Sequence, residues 1–578
     1  MKLSALFILM LVFALQGRSQ AFAATASADQ AYATIAHAYF FENFRENPSA
    51  ATQAGVHDYD RHLDDLSAAH FAAQIALDQS TLTKLAGVKP AALSDEVRID
   101  RQMLIYDLKG DELATQTEED WRHDPDLYLQ AASSAVYSTI AFAYAPLTTR
   151  MQFATAREQQ IPRLIGQAEK NITTVDLATA QVSYQDAMGS IGFFAHDVPD
   201  AFAPVKAAAL RRQFQAASNA ATQAIRQYAA WIKRGPLAHP RGTFAIGRQA
   251  YQERLLYDDA LDMPVEDYLA IGERALAETQ AQFVTVAHEI DPQKSPQQVY
   301  AGLTSRHPSA QNLLPTAEKD ILALRAFVTS HRIITLPSDA NVRAVETPAF
   351  QRSQIFAAFN PPGPLEQVVT QAYYYVTPPD PSLPKAQQDG QLGFLNDFAF
   401  PIISTHEVMP GHFVNYAIDK HLHLSLTRKL LWTPEFGEGW AHYDEQMIVD
   451  EGWGNGDPRV RLAQLAAALT REGRYVVGVK LHTQGMTVDQ ATTFLMRNAY
   501  MAQPTARREA LRGTQDPMYG YYTLGKLMIL KLRSDYQKKM GSRYSLQRFH
   551  DELLAHGDPP IPLLRPLLLG ASDDGKPL

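Results

Sequence analysis

Two short runs of sequence constrain the fold of this chain more than any other feature. The first run, T-H-E-V-M-P-G-H-F, contains His406, Glu407 and His412, and the second run, F-G-E-G-W-A-H-Y-D-E, contains Glu438 and Glu445. Two imidazoles, one anionic oxygen and a free carboxylate beside them make up the donor set of a hydrolytic zinc site. We therefore expect a fold that brings both runs together around one Zn²⁺ ion, held by His406, His412 and Glu438.

The histidine spacing of the first run differs from the usual zinc-peptidase signature H-E-x-x-H, in which both histidines share one helical face. At about 100° per residue, a histidine six positions later points about 240° around a regular helix. Pro410 removes the amide that would bond the carbonyl of residue 406, and Gly411 accepts backbone angles that other residues resist. We predict a helix break here that returns His412 to the metal and leaves Glu407 as the general base toward the attacking water.

The second run predicts a helix that carries two acidic residues with different roles. Glu438 opens an apolar helical pattern and is the expected third metal ligand. Glu445, two turns along the same face, is expected to accept the second ring proton of a ligand histidine. The spacing leaves open an exchange of roles between Glu438 and Glu445. It also leaves open that Glu445 is an ordinary solvated acid of an amphipathic helix.

These motifs resemble those of a large, mostly bacterial and secreted family described as a domain of unknown function. The resemblance rests on H-E-V-M-P-G-H at 406–412 and G-E-G-W-A-H-Y-D-E at 437–445, and it continues at 47–60 and 548–557 near the two ends. The family is placed in the gluzincin zinc peptidase clan, with thimet oligopeptidase, angiotensin-converting enzyme and carboxypeptidase Taq as distant relatives. The resemblance implies a mainly α, zincin-like fold, with two helical lobes around a deep catalytic cleft and a small β-sheet.

The resemblance also implies further catalytic residues. In the relatives, a tyrosine or histidine near the C-terminus donates a hydrogen bond to the oxyanion, a contact worth about 3 kcal/mol in the transition state. Tyr522, three residues before Gly525 in Y-T-L-G-K, occupies the matching position, and His482 is a second candidate. The alternatives are a tyrosine that packs between helices and a structural histidine.

Three residues are candidates for substrate binding. Arg471 and Arg474 lie one helical turn apart and are expected to present guanidinium groups to the C-terminal carboxylate of a peptide. Surface charge is the alternative for at least one of them. The segments 372–377 and 393–396 are predicted as short strands. Because an edge strand pairs with the substrate in gluzincins, the second segment, which includes Asn396, is expected to line the cleft.

The beginning of the chain predicts export. Residues 1–24 open with M-K, continue with an apolar run from Leu3 to Leu15 and reach A-F-A-A, which is typical of a cleaved signal peptide. That run is too short for a membrane span, and no later stretch reaches 18 uninterrupted apolar residues, so we expect no stable membrane insertion. The chain has no cysteine, hence no lipid attachment site, disulfide or thiolate ligand. The expected location is the periplasm or the medium.

The remaining residues, 25–578, are predicted to form one mainly helical unit with a metal-binding core at about 390–530. No linker, repeat or low-complexity block divides the chain, and alanine-rich amphipathic stretches recur, for example at 206–232 and 265–288. The net charge is −9 and no basic patch is dense enough to predict a nucleic-acid partner.

The function predicted from these features is zinc-dependent hydrolysis of peptide bonds in short peptides. The expected partner is a peptide or small amide substrate. Two alternatives come from other classes: a zinc amidase that acts on cell-wall or other non-peptide amides, and a non-catalytic periplasmic binding protein. Glu407 separates the last alternative from the first two, because a purely structural metal site needs no free carboxylate beside its ligand.

Overall fold

The computed structural model describes residues 25–348, 352 and 355–578. The predicted signal peptide, 1–24, lies outside the described residues. Within them the chain is mainly helical with one small sheet, so the predicted mainly α class with a small β-sheet is confirmed. No helix in this part of the chain is long and apolar enough to cross a bilayer.

Fifteen of the described helices precede the sheet. They are α1 (25–46), α2 (Pro48–Ala54), α3 (Ala68–Ala86), α4 (Asp95–Leu113), α5 (Asp120–His123), α6 (Asp126–Ala141), α7 (Leu147–Glu158), α8 (Ile161–Asn171), α9 (Leu177–Gly192), α10 (Val198–Ala201), α11 (Ala208–Arg234), α12 (Gly247–Asp259), α13 (Val265–Ile290), α14 (Pro296–Thr304) and α15 (Leu313–Ser330). The two alanine-rich stretches predicted as helices correspond to α11 and α13. On α11, Ala217, Ala221, Ile225 and Tyr228 are buried, and their spacing of three or four residues forms one apolar face.

The sheet has three strands, β1 (Val342–Glu346), β2 (Ala357–Asn360) and β3 (Ala372–Val376), in the order β1–β3–β2. Strand β3 runs parallel to β1 and antiparallel to β2. The strand predicted at 372–377 is therefore confirmed by β3. Because β2 pairs on one side only within the sheet, it is an edge strand.

Eleven described helices follow the sheet. They are α16 (Lys385–Leu392), α17 (Phe400–Glu407), α18 (His412–Asp419), α19 (Leu426–Leu430), α20 (Pro434–Asp450), α21 (Pro458–Thr483), α22 (Val488–Asn498), α23 (Gln503–Gln515), α24 (Tyr521–Met540), α25 (Leu546–Leu553) and α26 (Ile561–Leu569). The strand predicted at 393–396 is wrong, because Gly393–Leu395 form a 3₁₀ turn between α16 and α17. Four residues are too few for periodicity to distinguish a strand from a helical turn.

The buried apolar side chains form one large cluster and several smaller ones. The large cluster draws on residues 251–569, and the second largest draws on residues 63–232. The hydroxyl of Tyr137 on α6 lies 3.3 Å from that of Tyr375 on β3, which connects the earlier helices to the sheet. The large cluster surrounds the helices that carry the two motifs.

Helices α20 and α24 approach each other closely because both have a glycine at the contact. Gly439 on α20 faces Gly525 on α24, and a Cβ atom on Gly525 would overlap the backbone carbonyl of Glu435. No larger residue fits there without moving one helix. The contact holds together the helices that carry Glu438 and Tyr522.

Candidate metal centre

The first motif contains the helix break that its sequence predicts. Helix α17 ends at Glu407 and α18 begins at His412. Between them the amide of Gly411 donates to the carbonyl of Thr405 at 3.0 Å, which folds the chain back on itself. A Cβ atom on Gly411 would overlap the carbonyl of His406, so the fold-back needs glycine at this position.

The second motif supports this break directly. The indole Nε1 of Trp440, on α20, donates to the carbonyl of Pro410 at 3.1 Å. Trp440 is fully buried. The hydrogen bond uses a carbonyl that the interrupted helix leaves without a helical partner, and it joins the two motifs at a fixed distance.

His406, His412 and Glu438 converge on one point. Glu438 Oε2 lies 3.2 Å from Nε2 of His406 and 3.3 Å from Nε2 of His412. Among the described residues this is the one group in which three or more histidine and carboxylate side chains place donor atoms within 4.8 Å of one another. Glu438 Oε2 is buried and makes no hydrogen bond of acceptable geometry, although it lies between two imidazoles.

These distances fit a tetrahedral zinc ion. With bonds of 2.0–2.1 Å, neighbouring ligand atoms of a tetrahedral site are separated by roughly 3.3–3.4 Å. The two distances measured from Glu438 Oε2 agree with that separation to within about 0.2 Å. Two neutral nitrogens and one carboxylate oxygen are also the ligand types that zinc prefers in hydrolytic sites.

Glu445 orients the first histidine. Its Oε1 accepts from Nδ1 of His406 at 2.8 Å, and its Oε2 lies 3.1 Å from Nδ1 of His442. The guanidinium of Arg471 donates to Oε1 at 2.8 Å. Arg471 also lies 3.3 Å from Nδ1 of His406, but that nitrogen carries the proton given to Glu445, so this contact is not a hydrogen bond. The arrangement leaves the lone pair of His406 Nε2 pointing to the convergence point.

The electrostatics of the site favour a positive charge between the donors. Burial opposes the charged form of His406, but the adjacent carboxylates of Glu438 and Glu445 outweigh it and raise the pKa of His406 to about 9. Burial likewise opposes the charge of Glu438, but His412 and His406 hold the pKa of that carboxyl well below its usual range. A proton or a metal ion satisfies the same requirement.

Glu407 is held by the edge strand of the sheet. Its Oε2 accepts from the backbone amide of Phe359 on β2 at 2.8 Å. In the antiparallel ladder, residue 356 bonds to Thr377 of the neighbouring segment, so alternation turns the amides of Ala357 and Phe359 away from β3. Glu407 and β2 line the same cavity, of about 810 Å³, as the three convergent donors, and we call it the metal cavity.

Tyr522 lines this cavity as well. Its ring centroid lies 6.4 Å from that of His406, and the guanidinium carbons of Arg471 and Arg474 lie 5.3 Å and 5.4 Å from its ring centroid. Burial and the nearby charge of Glu438 raise the pKa of the Tyr522 hydroxyl, so it stays protonated at neutral pH.

The two arginines predicted to bind substrate are both paired within the protein. Arg471 binds Glu445, as described above. Arg474 makes a bidentate ion pair with Glu509, in which Nε and Nη2 lie 2.8 Å and 3.1 Å from the carboxylate oxygens. Both line the cavity. The structure therefore gives each arginine a positioning contact, whereas a free guanidinium for a substrate carboxylate was expected.

Two predicted residues lie away from the metal cavity. His482 lines a different cavity, where its Nε2 donates to the carbonyl of Gly513 at 2.7 Å and its Nδ1 accepts from the amide of Ile246. Asn396 is 1% exposed and binds backbone groups of the turn before α17, including the amides of Phe398 and Ala399. Neither side chain lines the cavity that contains the three convergent donors.

Comparisons with known proteins agree with the fold. Residues 48–568 match the family described as "Bacterial protein of unknown function (DUF885)". The chain belongs to this family. A structure described as "a putative lipoprotein of unknown function" from Shewanella oneidensis is 23% identical, with a TM-score of 0.79, and the match covers 93% of this chain and 99% of that chain. A structure of "the putative lipoprotein" from Colwellia psychrerythraea is 16% identical, with a TM-score of 0.77 and coverage of 95% and 99%. No curated protein matches.

Three residues that the sequence reasoning did not single out complete the site. Trp440 fixes the break, Phe359 holds Glu407, and His442 adds a second imidazole to Glu445. Burial lowers the pKa of His442 to about 3, so it stays neutral in this member of the DUF885 family. Trp440 and His442 belong to the second motif, so their part in the site could have been predicted from the sequence. Phe359 lies in A-A-F-N of β2, a segment with no recognisable motif.

Proposed function

We propose that the protein is a zinc-dependent hydrolase of peptide bonds in short peptides, of the gluzincin type. One observation carries the proposal: Glu438 Oε2 lies 3.2–3.3 Å from Nε2 of both His406 and His412, all three donors lie within 4.8 Å of one another, and a carboxylate that is not one of them lines the same cavity. A purely structural zinc site is normally closed by four protein ligands. Three protein ligands leave the fourth position of a tetrahedral site for water. This arrangement, with Glu407 beside it, favours catalysis over a structural role.

His406, His412 and Glu438 would hold the zinc ion. When bound, zinc supplies an activated water at neutral pH and polarises the carbonyl to be cleaved. Glu407 takes the proton from the attacking water and later passes it to the leaving amine. The amide of Phe359 occupies Oε2 of Glu407, which directs this carboxylate and leaves Oε1 as the proton acceptor.

Tyr522 donates a hydrogen bond to the oxygen that becomes negative during attack. Its raised pKa keeps the proton on the hydroxyl, so it can act as a donor throughout the reaction. Arg471 and Arg474 lie over its ring and restrict its position.

The edge strand favours a peptide over other amides as the substrate. The amide and carbonyl of Ala357 point away from β3, along the cavity that contains Glu407. An extended peptide can add to such an edge by main-chain hydrogen bonds. A cell-wall or other non-peptide amide offers no matching series of groups, although the same zinc chemistry would hydrolyse it.

The test is the zinc content of the purified mature protein, measured by elemental mass spectrometry together with a panel of peptide and non-peptide amides. We expect about one zinc ion per chain in the wild type and loss of zinc in His412→Ala, because three donors are the minimum for such a site. Hydrolysis of short peptides is expected from the wild type alone. No bound zinc after zinc is offered at neutral pH would overturn the proposal, and turnover of non-peptide amides alone would replace peptidase with amidase.

A further inference from the structure

A second cavity, of about 480 Å³, lies beside the metal cavity and shares Trp432 with it. Seven carboxylates line it, from α4, α5, α12 and the segments that follow α4 and α23. We call it the acidic cavity. Its volume falls within the range of small-ligand sites.

Three of the seven carboxylates have partners. Arg254 forms a two-pronged ion pair with Glu118 and lies 3.6 Å from Asp258. Asp516 accepts from the hydroxyl of Tyr521 at 3.3 Å and lies 3.6 Å from Arg512. No hydrogen bond or ion pair connects the side chains of the other four to a described residue, and these are Asp107, Asp111, Asp120 and Asp259.

Asp259 provides a second, independent observation. It is 2% exposed, and its Oδ2 is buried without a hydrogen-bond partner in the described part of the chain. Leaving a buried carboxylate oxygen unpaired is costly, and native proteins rarely do so without a ligand, ion or function to explain it. Asp259 lines the acidic cavity, so the missing partner is expected from that side.

The spacing of the carboxylates argues against a single metal ion. Among the described residues, three donor atoms meet within 4.8 Å only at the metal centre and not in the acidic cavity. An extended cation with several N–H donors can reach separated carboxylates where a single ion cannot. Trp432, Tyr106 and Tyr257 add aromatic faces to the lining, and such faces attract ammonium and guanidinium groups.

We propose that the acidic cavity binds an organic cation that carries primary ammonium or guanidinium groups. Two sources share this chemistry: a free polyamine, and the lysine or arginine side chain of a peptide that also enters the metal cavity past Trp432. The unpaired carboxylates supply the acceptors, and the aromatic rings cover the alkyl chain between charges. The inference does not require zinc or catalysis.

The test measures binding by isothermal titration calorimetry to the full mature protein. Spermidine is the free polyamine probe. The tripeptide Gly-Lys-Gly and the same peptide acetylated on the lysine side chain are the peptide probes, measured in the Glu407→Gln background so that no peptide is consumed. We expect Asp107→Asn to weaken binding of the cationic probe roughly tenfold, because the amide keeps the shape of the side chain but cannot ionise to pair with the cation. Asp120→Asn is the second variant, and it should weaken binding of the cationic probe as well. Because Asp120 lies at an exposed position of the same cavity, this substitution disturbs the fold less than one at a buried position.

Asp95→Asn is the matched control, because Asp95 lies on α4 with Asp107 but its side chain is 70% exposed and pairs with Arg98. Binding of spermidine but not the peptide, or binding of the peptide only without acetylation, each supports the proposal and identifies the source. Equal affinity in wild type and Asp107→Asn, or an equal loss in Asp95→Asn, would overturn it. The absence of binding by either cationic probe would do the same.

Discussion

The metal cavity and the acidic cavity lie side by side, but they differ in how their acidic side chains are paired. In the metal cavity, Glu445 is surrounded by Arg471 and two imidazoles, and Glu509 by Arg474. In the acidic cavity, Arg254 is the one arginine among the described lining residues, against seven carboxylates. The first arrangement fixes each donor before any ligand arrives, whereas the second leaves like charges facing one another.

This difference shows what each cavity is suited to hold. Three donor atoms held within 4.8 Å of one another can accept one small ion with little rearrangement. Carboxylates that repel each other across a wider space lower the stability of the fold until a cation arrives. Mutations should therefore reduce function and stability together at the metal cavity, and should separate the two at the acidic cavity.

The largest effect is expected from Glu407→Gln. Loss of the proton acceptor should lower kcat/KM for a short peptide by about 10²–10⁴-fold, while zinc stays bound because Glu407 is not a ligand. Zinc content and peptide turnover are measured on the same sample. Glu266→Gln, at an exposed position paired with Arg248, is the control and should change neither quantity. Retained turnover in Glu407→Gln would remove this residue from its role.

Glu445→Gln should weaken zinc binding by about 10–100-fold, because carboxylates that orient ligand histidines contribute on that scale. The measurement is a zinc titration against a competing chelator. The amide keeps the shape of the side chain but loses the charge that faces Arg471 and His406. Unchanged zinc affinity would mean that Trp440 and the helix break alone position His406.

Gly525→Ala tests the packing beneath the metal cavity. The added methyl group meets the carbonyl of Glu435, so we expect the free energy of unfolding to fall by about 1–3 kcal/mol. Zinc affinity should fall as well, because α20 carries Glu438. Gly302→Ala on α14 is the control, since its Cβ would meet no atom within 4 Å, and it should leave stability unchanged or slightly raised. Urea unfolding curves of both variants provide the comparison, and equal curves would contradict the packing argument.

The smallest effect is expected at the acidic cavity, where a substitution should raise the free energy of unfolding and not lower it. Asp259→Asn should raise the free energy of unfolding by about 1 kcal/mol near neutral pH, because it removes a buried carboxyl whose ionisation the fold opposes. Burial, then Glu435 and Asp258, raise the pKa of Asp259 well above its usual value. Its contribution to stability is therefore fully present below the ordinary aspartate pKa, about 4, and is lost as the pH rises through the folded value.

The advantage of Asp259→Asn over the wild type should thus grow as the pH rises from about 4 to 7, since asparagine resembles the protonated acid at every pH. Urea unfolding of both proteins at about pH 4 and about pH 7 measures this difference in stability. A variant that is less stable than the wild type at neutral pH would indicate that Asp259 has a stabilising partner, and the contrast between the two cavities would fail.

The sequence predicted which residues form the candidate metal site better than it predicted their surroundings. Proline and glycine at 410–411 act through the local backbone, so the helix break followed from the chain alone. The position of His482 did not, because it shares a helical face with Arg471 but lies eleven residues, roughly 16 Å, further along α21. Spacing within one helix predicts the face on which a side chain lies, but it does not predict which cavity that side chain lines.

The edge strand and the acidic cavity were missed for a different reason. A-A-F-N at β2 is too short to distinguish from other apolar segments, and only its pairing with β3 defines it. The carboxylates of the acidic cavity come from residues 107 to 516, each ordinary in its own segment. Contacts between distant parts of the chain, and not local pattern, bring them together.

The hydrogen bond from the Phe359 amide to Glu407 limits how the segment around β2 can change. Because successive amides of a strand point to opposite sides, a slip of one residue against β3 would turn the amide of Phe359 toward β3 and leave Glu407 without its donor. Insertions between β2 and β3 should be tolerated when they extend the connecting loop and harmful when they shift the pairing. The register of the small sheet thus sets the alignment of Glu407, the proposed general base, from a stretch of sequence about fifty residues away.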